Sequence, residues 1–464
     1  MTTLYQLTNS NFKEYQTDSP KPVDVENAIT GAMVGAAIGD AAGVPYEVFG
    51  NFMCNLKHKI ARKFIPLEKG YVSGTHRKPP GTWSDDTSMG LSLAMSMLTN
   101  NGFDQKVCAD WYSSWLEKGT LSSMPYTWGI GQMTSEVLTR YLVFEDVEKA
   151  HQGLTSRPTN GCVMRNFPVG CYYWDDFQKA IETSQRQTEI TNWGDACEVA
   201  IMMSCLQTEI IWKCINNHNL PEDKRKTLLQ IIEDSMEPHI KAGNKYIIAL
   251  NNILFKNEVT EDTPPFYVGS SFTAMVFAIH GLTVLDKYEK VHGKDTSYVY
   301  GINNVIKLGG DTDTNGCIYG AMAGAYIGYD NLPEHLKKNL VYENFIKTLG
   351  RSLFNKKDLV TGNFQVRYDH NQKFKPDSGP KHLFEKATKE SLYGSRMTYS
   401  MLMELEKLSK PTPSVEEAQM ELLANESNND TDSEVEDGTH NPLDTNEFLE
   451  AEQDDDYEYD YDNQ

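Results

Sequence analysis

The sequence predicts an all-α protein built around one large helical domain. Two apolar runs carry glycine at every fourth position, GAMVGAAIGDAAG at 31–43 and GCIYGAMAGAYIG at 316–328, which places the glycines on one face of a helix. Further segments carry apolar residues at helical spacing, whereas alternating strand patterns are scarce. We therefore expect a mostly α-helical domain over residues 23–350.

The glycine runs predict two helices that pack closely against each other. An interior glycine costs roughly 0.5–1 kcal/mol relative to alanine, so four in one helix cost about 2–4 kcal/mol. Close backbone contact between two buried helices offsets that cost. Similar spacing occurs in membrane helices, but Asp40 and Asp330 argue against a lipid environment. The other expected helices are Ser88–Leu98, Asp195–Leu206, Leu228–Met236, Asn244–Phe255, Phe272–Leu285 and a segment near Ser400–Lys407.

Composition divides the rest of the chain into an arm, an appendage and a tail. Residues 1–22 are polar, residues 351–410 form a C-terminal appendage, and Pro411 begins the tail, 411–464. The tail contains 19 Asp and Glu and no Lys or Arg, so it carries most of the formal net charge of -22. Because it has few large apolar residues, we expect it to be disordered and to aid solubility or bind a basic partner. Its charge disfavours nucleic acid as a partner.

Cysteine usage and hydropathy indicate a soluble, cytoplasmic protein. The eight cysteines include no C-x-x-C pair and are expected to be reduced, mostly buried thiols. The N-terminus lacks the basic and apolar regions of a signal peptide. No run of about 18 apolar residues is uninterrupted, since Asp40 breaks the best candidate, so we expect no membrane span.

Two acidic clusters form the candidate site. GTWSDDT at 81–87 and GGDTDT at 309–314 each place carboxylates and hydroxyls in a short segment that begins with glycine and holds no Lys or Arg. Carboxylates that are brought together repel one another, so a fold that gathers both clusters needs a cation. Carboxylate and hydroxyl oxygens suit hard divalent ions such as magnesium, manganese or calcium. The clusters therefore indicate a two-metal hydrolase site.

Three other interpretations account for less of the pattern. Helix N-capping explains one Asp or Thr in each cluster, but not Asp85 together with Asp86. An EF-hand loop beginning at Asp311 requires Glu at its twelfth position, where this chain has Met322. A phosphatase motif of the Asp-x-Asp type requires a preceding buried strand, and the two glycines at 309–310 interrupt any strand there. This last alternative keeps weak support.

Four motifs occur in the order found in one family of hydrolases. They are GAMVGAAIGDAAGVPYEV at 31–48, GTWSDDTSM at 81–89, NGCVMRNFPVG at 160–170 and GGDTDTNGCIYGAMAGAYIG at 309–328. Over residues 24–345 the chain resembles the ADP-ribosylglycohydrolase family, which includes the dinitrogenase reductase-activating glycohydrolase and the ADP-ribosyl-acceptor hydrolases. The resemblance implies a single large orthogonal helical domain that holds two magnesium or manganese ions.

The resemblance also implies a reaction. It is hydrolysis of the glycosidic bond between ADP-ribose and a protein side chain or a related acceptor, so the expected partners are ADP-ribosylated proteins or small molecules. A non-catalytic ADP-ribose-binding or structural member of the family is one alternative, and a metal-dependent phosphoesterase is another. Release of free ADP-ribose, rather than AMP or phosphate, identifies glycosidic cleavage.

The resemblance assigns roles to residues in all four motifs. Glu47 matches a family glutamate near the metals and, with Asp85 and Asp313, is a candidate catalytic residue. Asn160 and Gly161 match the loop that approaches the diphosphate and ribose, where small residues let backbone N–H groups reach phosphate oxygens. The six expected metal ligands are Ser84, Asp85, Asp86, Asp311, Asp313 and Thr314, with Asp313 as the bridge.

One position departs from the family pattern. The family often has a Thr-His pair after the Asn-Gly motif, whereas here Thr191 is followed by Asn192. Asparagine can donate a hydrogen bond but cannot carry charge or transfer a proton. We expect Asn192 to take part in substrate binding and the replacement to affect substrate preference or rate.

Overall fold

The structure, a computed structural model, describes residues 22–47, 65–73, 78–124 and 126–356. Within these ranges the chain forms helices and no β-sheet, so the predicted all-α class is confirmed. The acidic tail and nearly all of the expected N-terminal arm and appendage lie outside the described residues, and those predictions stay as they are.

Helices of very different length follow one another along the chain. Short 3-10 helices cover Val44–Tyr46, Leu67–Lys69, Asp195–Cys197, Glu222–Lys224 and Tyr329–Asn331, and a π-helical turn covers Asn252–Lys256. The α-helices are α1 (Pro22–Gly43), α2 (Asp85–Asn100), α3 (Gln105–Lys118), α4 (Gln132–Phe144), α5 (Val147–His151), α6 (Gly161–Met164), α7 (Pro168–Tyr172), α8 (Phe177–Thr188), α9 (Glu198–Asn217), α10 (Leu228–Lys241), α11 (Lys245–Asn251), α12 (Ser271–His292), α13 (Lys294–Lys307), α14 (Thr312–Ile327), α15 (Glu334–Asn339) and α16 (Glu343–Phe354).

The two glycine helices, α1 and α14, pack against each other in antiparallel orientation at the centre of the domain. A Cβ atom placed on Gly35 would stand 2.3 Å from the carbonyl oxygen of Gly320, so the two backbones touch where any other residue would hold them apart. This close contact is the packing that the glycine spacing predicts. The facing pairs are Gly31 with Gly324, Gly35 with Gly320, and Gly39 with Gly316.

The surrounding helices bury most of α1 and α14. Helix α16 covers α1, while α9, α12 and α13 pack on α14. The stretch Asp24–Tyr46 is the one helical segment, among the residues that the structure describes, with the length and apolar composition of a membrane span. Its most apolar window lies wholly inside the domain, and Asp40 does not keep it from meeting those two criteria. The seven cysteines in the described ranges are free and buried, as expected.

The glycine contact fixes where the acidic clusters lie. At the carboxyl end of α1, Gly43 meets the backbone of Thr312, the first residue of α14, and the Thr312 hydroxyl donates a hydrogen bond to the Gly43 carbonyl oxygen at 2.8 Å. Helix α2 begins beside this junction, because Asp40 near the end of α1 accepts hydrogen bonds from its first turn. The end of α1 and the starts of α2 and α14 therefore meet at one place.

Candidate functional site

The first acidic cluster forms the start of α2. Ser84 is the N-cap residue, and its hydroxyl donates to Asp86 Oδ2 at 2.9 Å. Asp85 and Asp86 occupy the first turn and are only 4% and 2% exposed. The preceding Trp83 is buried and donates from Nε1 to the Val341 carbonyl oxygen at 2.8 Å, which anchors the segment. The positive end of the helix macrodipole favours carboxylates in this turn.

Asp40 holds this turn in place from α1. Its Oδ1 accepts from the Ser84 backbone N–H at 2.8 Å, and its Oδ2 accepts from the Thr87 backbone N–H at 3.0 Å and the Thr87 hydroxyl at 2.6 Å. The side chain is fully buried, and burial raises the pKa of Asp40 to about 6, although these hydrogen bonds act in the opposite direction. Sequence reasoning did not place Asp40 in the site. The available signal was one carboxylate inside an otherwise apolar glycine helix.

The second acidic cluster forms the start of α14. Gly309 and Gly310 both have left-handed backbone angles, with φ of +76° and +74°, which other residues rarely adopt. The chain then passes through Asp311, the N-cap residue, into a first turn that buries Asp313 and Thr314. Asp313 Oδ1 accepts from the Thr314 backbone N–H at 2.9 Å. The glycines thus turn the chain so that α14 begins with its acidic residues inside the domain.

Carboxylates of five residues come together in two overlapping groups. One oxygen from each of Asp40, Asp86 and Asp313 lies within 4.8 Å of the other two, and the same holds for Glu47, Asp311 and Asp313. Asp313 belongs to both groups. Segments far apart in the sequence therefore build one acidic centre.

The electrostatics of this centre fit a divalent cation. Burial raises the pKa of Asp86 and of Asp313 well above the ordinary aspartate value, and neighbouring carboxylates raise both further. Burial, with the charges of Asp311 and Asp40, raises the pKa of Glu47 to about 8. Asp86 Oδ1 is buried, and no residue in the described ranges hydrogen-bonds to it. Hard metal ions bind such groups of carboxylate oxygens: the ion offsets their mutual repulsion and coordinates an oxygen that lacks a hydrogen-bond partner.

The expected ligands divide into members and neighbours of these groups. Asp86, Asp311 and Asp313 belong to the groups, while Ser84 and Thr314 flank them in the same helical turns. Asp85 lies in neither group: its Oδ1 is 2.5 Å from the place where a Cβ on Gly129 would stand. The roles of these residues as metal ligands stay predictions.

The Asn-Gly motif lies beside the second cluster. Asn160 donates from Nδ2 to Asp311 Oδ2 at 2.8 Å. A hydrogen bond to a charged carboxylate is stronger than one between two neutral groups. The Asn160 backbone N–H donates to the Gly269 carbonyl oxygen at 2.7 Å, which fixes the main chain at this point. The structure therefore brings Asn160 to the acidic centre.

The loop around Asn160 is also joined to the helices on either side of it. An antiparallel bridge between Thr159 and Ser270 connects the loop to the start of α12. Gly161 begins α6, and a Cβ there would stand 3.1 Å from the Thr134 hydroxyl on α4. Gly161 thus lies directly after the residue that reaches the acidic centre, in a position with little room for a side chain.

Asn192 is fully buried, and both ends of its carboxamide are bound within the protein. Its Oδ1 accepts from the Thr191 hydroxyl at 2.7 Å. Its Nδ2 donates to the Arg157 carbonyl oxygen at 2.8 Å and to the Thr159 hydroxyl at 2.9 Å. Asn192 therefore supports the loop that leads into Asn160, and its predicted contact with substrate stays a prediction.

Arg165 continues this network and was also missed by sequence reasoning. It is fully buried, and its guanidinium donates to the Thr191 hydroxyl at 2.9 Å and to Gln187 Oε1 at 3.1 Å. The guanidinium carbon lies 4.8 Å from the ring centroid of Tyr112. The only signal in the sequence was a basic residue inside the motif NGCVMRNFPVG.

Comparisons with known proteins agree with this architecture. The family model described as ADP-ribosylglycohydrolase matches residues 21–362. An ADP-ribosylarginine hydrolase of Serratia proteamaculans is 25% identical over 335 residues, covering 70% of this chain and 78% of the relative. The ADP-ribosyl-[dinitrogen reductase] glycohydrolase of Rhodospirillum rubrum is 25% identical over 319 residues, covering 67% of this chain and 88% of the relative.

A solved structure shows the same fold. It is described as an ADP-ribosylglycohydrolase-related protein complex and aligns with a TM-score of 0.53 at 24% sequence identity, covering 72% of this chain and 99% of its own. The resemblance read from the four motifs is confirmed by the family match. The chain therefore belongs to the ADP-ribosylglycohydrolase family and is a hydrolase of that family.

Proposed function

We propose that this protein is a divalent-metal-dependent hydrolase that releases ADP-ribose from a protein side chain or a related acceptor. The observation that supports this most directly is the pair of carboxylate groups that share Asp313, together with the orphaned Asp86 Oδ1. Relatives named for this activity act on ADP-ribosylated arginine and on dinitrogen reductase. The proposal for this chain leaves the acceptor open between these and other linkages.

The acidic centre would hold two magnesium or manganese ions. Asp86, Asp311 and Asp313 supply carboxylate oxygens from the first turns of α2 and α14. The remaining proposed ligands, Ser84, Asp85 and Thr314, lie in the same turns. When bound, such ions act as Lewis acids, neutralise the carboxylates and lower the pKa of a water. Asp40 contributes by fixing the turn that carries Ser84.

Glu47 is the proposed general base. It follows the 3-10 helix at the end of α1 and shares a group with Asp311 and Asp313. Its carboxylate would take a proton from the water whose oxygen bonds to the anomeric carbon, while the bond to the acceptor breaks. Without metal, burial and the charges of Asp311 and Asp40 raise the pKa of Glu47. Bound ions would offset that negative charge and so would keep the Glu47 carboxylate deprotonated and able to accept a proton. Asp85 and Asp313 are the other candidates for this role.

Asn160 and Gly161 are proposed to position the substrate. The Asn160 amide fixes Asp311 through its hydrogen bond, and the small residue that follows lets a phosphate approach the backbone N–H groups of the loop. Asn192 acts on this loop through Arg157 and Thr159. The alternative functions, a non-catalytic ADP-ribose binder and a phosphoesterase, are outcomes of the following test.

The test compares Asp313→Asn with wild type on arginine-linked and serine-linked ADP-ribose. We expect the wild type to release ADP-ribose only with magnesium or manganese, and Asp313→Asn to be slower by at least about 10²-fold because it removes a charge shared by both groups. The matched control is Asp295→Asn, at an exposed carboxylate on α13, which should keep full activity.

The products and rates distinguish the alternatives. Chromatography that finds AMP or phosphate identifies a phosphoesterase. Binding of ADP-ribose by calorimetry without release from any linkage identifies a binding module. Equal rates for Asp313→Asn and wild type would show that the metal mechanism is wrong, even though the family assignment stands.

A further inference from the structure

Lys78 lies between two aromatic side chains close to the first acidic cluster. Its Nζ is 4.5 Å from the ring centroid of Tyr126 and 4.7 Å from that of Trp128, and it donates to the Tyr126 hydroxyl at 2.8 Å. Lys78 is only 9% exposed. Among the residues that the structure describes, no ion pair includes it. The two rings therefore stabilise the buried ammonium group through cation–π contacts, in place of the carboxylate that usually pairs with a buried charge.

The aromatic pair is attached to the turn that carries the first acidic cluster. Trp128 Nε1 donates to the Ser123 hydroxyl at 3.4 Å, and that hydroxyl donates to the carbonyl oxygen of Trp83. Trp83 directly precedes Ser84. On the other side, the residue after Trp128 is Gly129, whose backbone lies against the Asp85 carboxylate. The pair thus borders the first acidic cluster at Asp85, next to Asp86 of the acidic centre, whereas Asn160 contacts the centre at Asp311.

The site is open to a ligand from solvent. Tyr126 is 46% exposed, and Trp128 is half-buried. The rings of Tyr126 and Trp128 already contact the ammonium group of Lys78, so the space between them suits a small cationic group. Exchange of Lys78 for a second cation would leave no buried charge without a partner, because the released ammonium returns to water.

We propose that Tyr126 and Trp128 form the acceptor subsite of this hydrolase, that its ligand is the guanidinium group of an ADP-ribosylated arginine, and that Lys78 occupies it until substrate displaces it. This inference rests on the proposed hydrolase function. A guanidinium is planar and weakly hydrated and stacks on aromatic faces better than an ammonium does.

The subsite discriminates between acceptors. A serine-linked acceptor carries no cation and cannot replace Lys78 on the rings, so it gains nothing from Tyr126 and Trp128. An arginine-linked acceptor exchanges a weaker cation–π contact for a stronger one. Lys78 therefore acts as an internal competitor that lowers the affinity for every cationic acceptor.

The experiment measures binding of agmatine, which carries the guanidinium of arginine, to the full-length protein with magnesium present. Calorimetry at high salt screens the effect of distant charges. We expect Trp128→Leu to weaken agmatine binding roughly 10-fold, and Lys78→Met to strengthen it roughly 3- to 10-fold. Trp128→Phe keeps an aromatic ring without the hydrogen bond to Ser123 and should keep most of the affinity.

Two controls isolate the subsite. ADP-ribose should bind with the same Kd to wild type and to all three variants, which also verifies that each one folds. Tyr329→Leu removes another ring that contacts lysines, since Lys337 and Lys347 lie 4.5 and 4.2 Å from its centroid. This ring lies beyond the far end of α14, so its loss should leave agmatine binding unchanged.

Three results would overturn the inference: no agmatine binding by the wild type, equal binding by wild type and Trp128→Leu, or no gain in Lys78→Met. None of them depends on turnover, so they are separable from failure of the proposed function. Release of ADP-ribose from serine-linked substrate without agmatine binding would leave the hydrolase proposal standing and remove this one. Agmatine binding without release of ADP-ribose from any substrate would leave a guanidinium-binding site but would remove both the hydrolase proposal and the acceptor subsite that rests on it.

Discussion

The fully buried side chain of Asn192 supports the loop that precedes Asn160. Its carboxamide satisfies the Thr191 hydroxyl and the backbone carbonyl of Arg157 at once. Loss of the first bond leaves the buried Thr191 hydroxyl, which still accepts from Arg165, without its acceptor Asn192 Oδ1. A buried donor left unsatisfied costs about 1–3 kcal/mol. The loop would then hold Asn160 less firmly against Asp311.

Asn192→Leu should therefore lower kcat/KM by roughly 10²-fold, because small displacements of positioning groups are costly. Asn192→His should keep the metal content and change the rate or substrate preference. The matched control is Asn216→Leu, which removes a buried asparagine that donates to the carbonyl oxygens of Trp174 and Trp212. Asn216→Leu should lower the free energy of unfolding but leave kcat/KM per folded molecule unchanged. If both leucine variants lose activity equally, Asn192 has no specific role in positioning the loop.

His218 links folding to pH in a way unrelated to the site. It is buried at the end of α9, and Nε2 donates to the Tyr326 carbonyl oxygen at 2.9 Å. Burial, with the positive charges of Arg225 and Lys294, lowers the pKa of His218 to about 4, from 6.5 for an unperturbed histidine. Between these values the unfolded chain binds a proton that the folded chain excludes, so stability decreases as pH falls from 6.5 toward 4.

The free energy of unfolding should therefore fall by up to about 1.4 kcal/mol per pH unit across this range because of His218. His218→Gln keeps a donor and should remove this contribution. Urea unfolding at several pH values between about 7 and 4 measures the difference in slope. The exposed His292→Gln serves as control and should retain the wild-type slope. A His218→Gln slope equal to that of wild type would contradict the assignment.

At the scale of elements, α9 is longer than its apolar pattern predicts. The apolar pattern predicts a helix over Asp195–Leu206, yet α9 continues to Asn217. Its second half carries Glu209 and Lys213, which pair at 2.8 Å inside the domain, and Glu209 also contacts His239 on α10 at 3.3 Å. Burial alone would raise the pKa of Glu209, but these two partners lower it to about 2. Charged residues that pair with one another inside the domain cannot be distinguished, in the sequence alone, from charged residues that face solvent.

The helix pair α1 and α14 yields a test of glycine packing. In an ordinary helix interior, replacement of glycine by alanine stabilises the fold by roughly 0.5–1 kcal/mol. At Gly35 the added methyl would meet the Gly320 carbonyl, so Gly35→Ala should instead destabilise the protein by about 1–3 kcal/mol or more. Because the same contact aligns the two acidic clusters, metal affinity should fall as well.

Gly131→Ala is the matched control. Gly131 is the N-cap of α4, with φ of -72°, and a Cβ there meets no atom within 4 Å. The free energy of unfolding of the Gly131→Ala variant should stay within about 1 kcal/mol of the wild-type value. Thermal and urea unfolding of both variants make the comparison. A stabilised Gly35→Ala would show that the two backbones are not in contact.

For the whole molecule, the proposed metal binding would be coupled to folding through the acidic centre. Burial raises the pKa of Asp86 and Asp313, so in the metal-free state the folded chain retains protons that the unfolded chain loses above pH 3.8. Stability without metal therefore falls as pH rises. A divalent ion would bind the deprotonated carboxylates, so its stabilising effect should grow with pH.

Magnesium should raise Tm more at about pH 8 than at about pH 5.5, because more of the carboxylates are deprotonated at the higher pH. At a concentration near 100 times Kd the stabilisation is about 2.7 kcal/mol, which corresponds to roughly 5 °C for a domain of this size. Differential scanning fluorimetry with magnesium or EDTA measures the shift. Asp313→Asn should lose most of it, whereas Asp295→Asn should keep it. A shift that is the same at both pH values would argue against a carboxylate metal site.

The sequence by itself determined the all-α class, the two glycine helices, the two acidic clusters and the family. These features depend on local spacing: glycine at every fourth residue marks one helical face, and clusters of Asp and Thr at helix starts need no knowledge of distant neighbours. The prediction of Asp86, Asp311 and Asp313 as candidate site residues follows from the same local patterns together with the family resemblance.

Only the tertiary structure decided how these pieces meet. Asp40 joins Ser84 across 44 residues, Asn160 joins Asp311 across 151, and Thr312 joins Gly43 across 269. Whether such partners touch depends on helix packing, and a local pattern carries no information about it. For the same reason the sequence pattern indicates only that Asp40 interrupts an apolar helix. Burial against the first turn of α2 makes it part of the site.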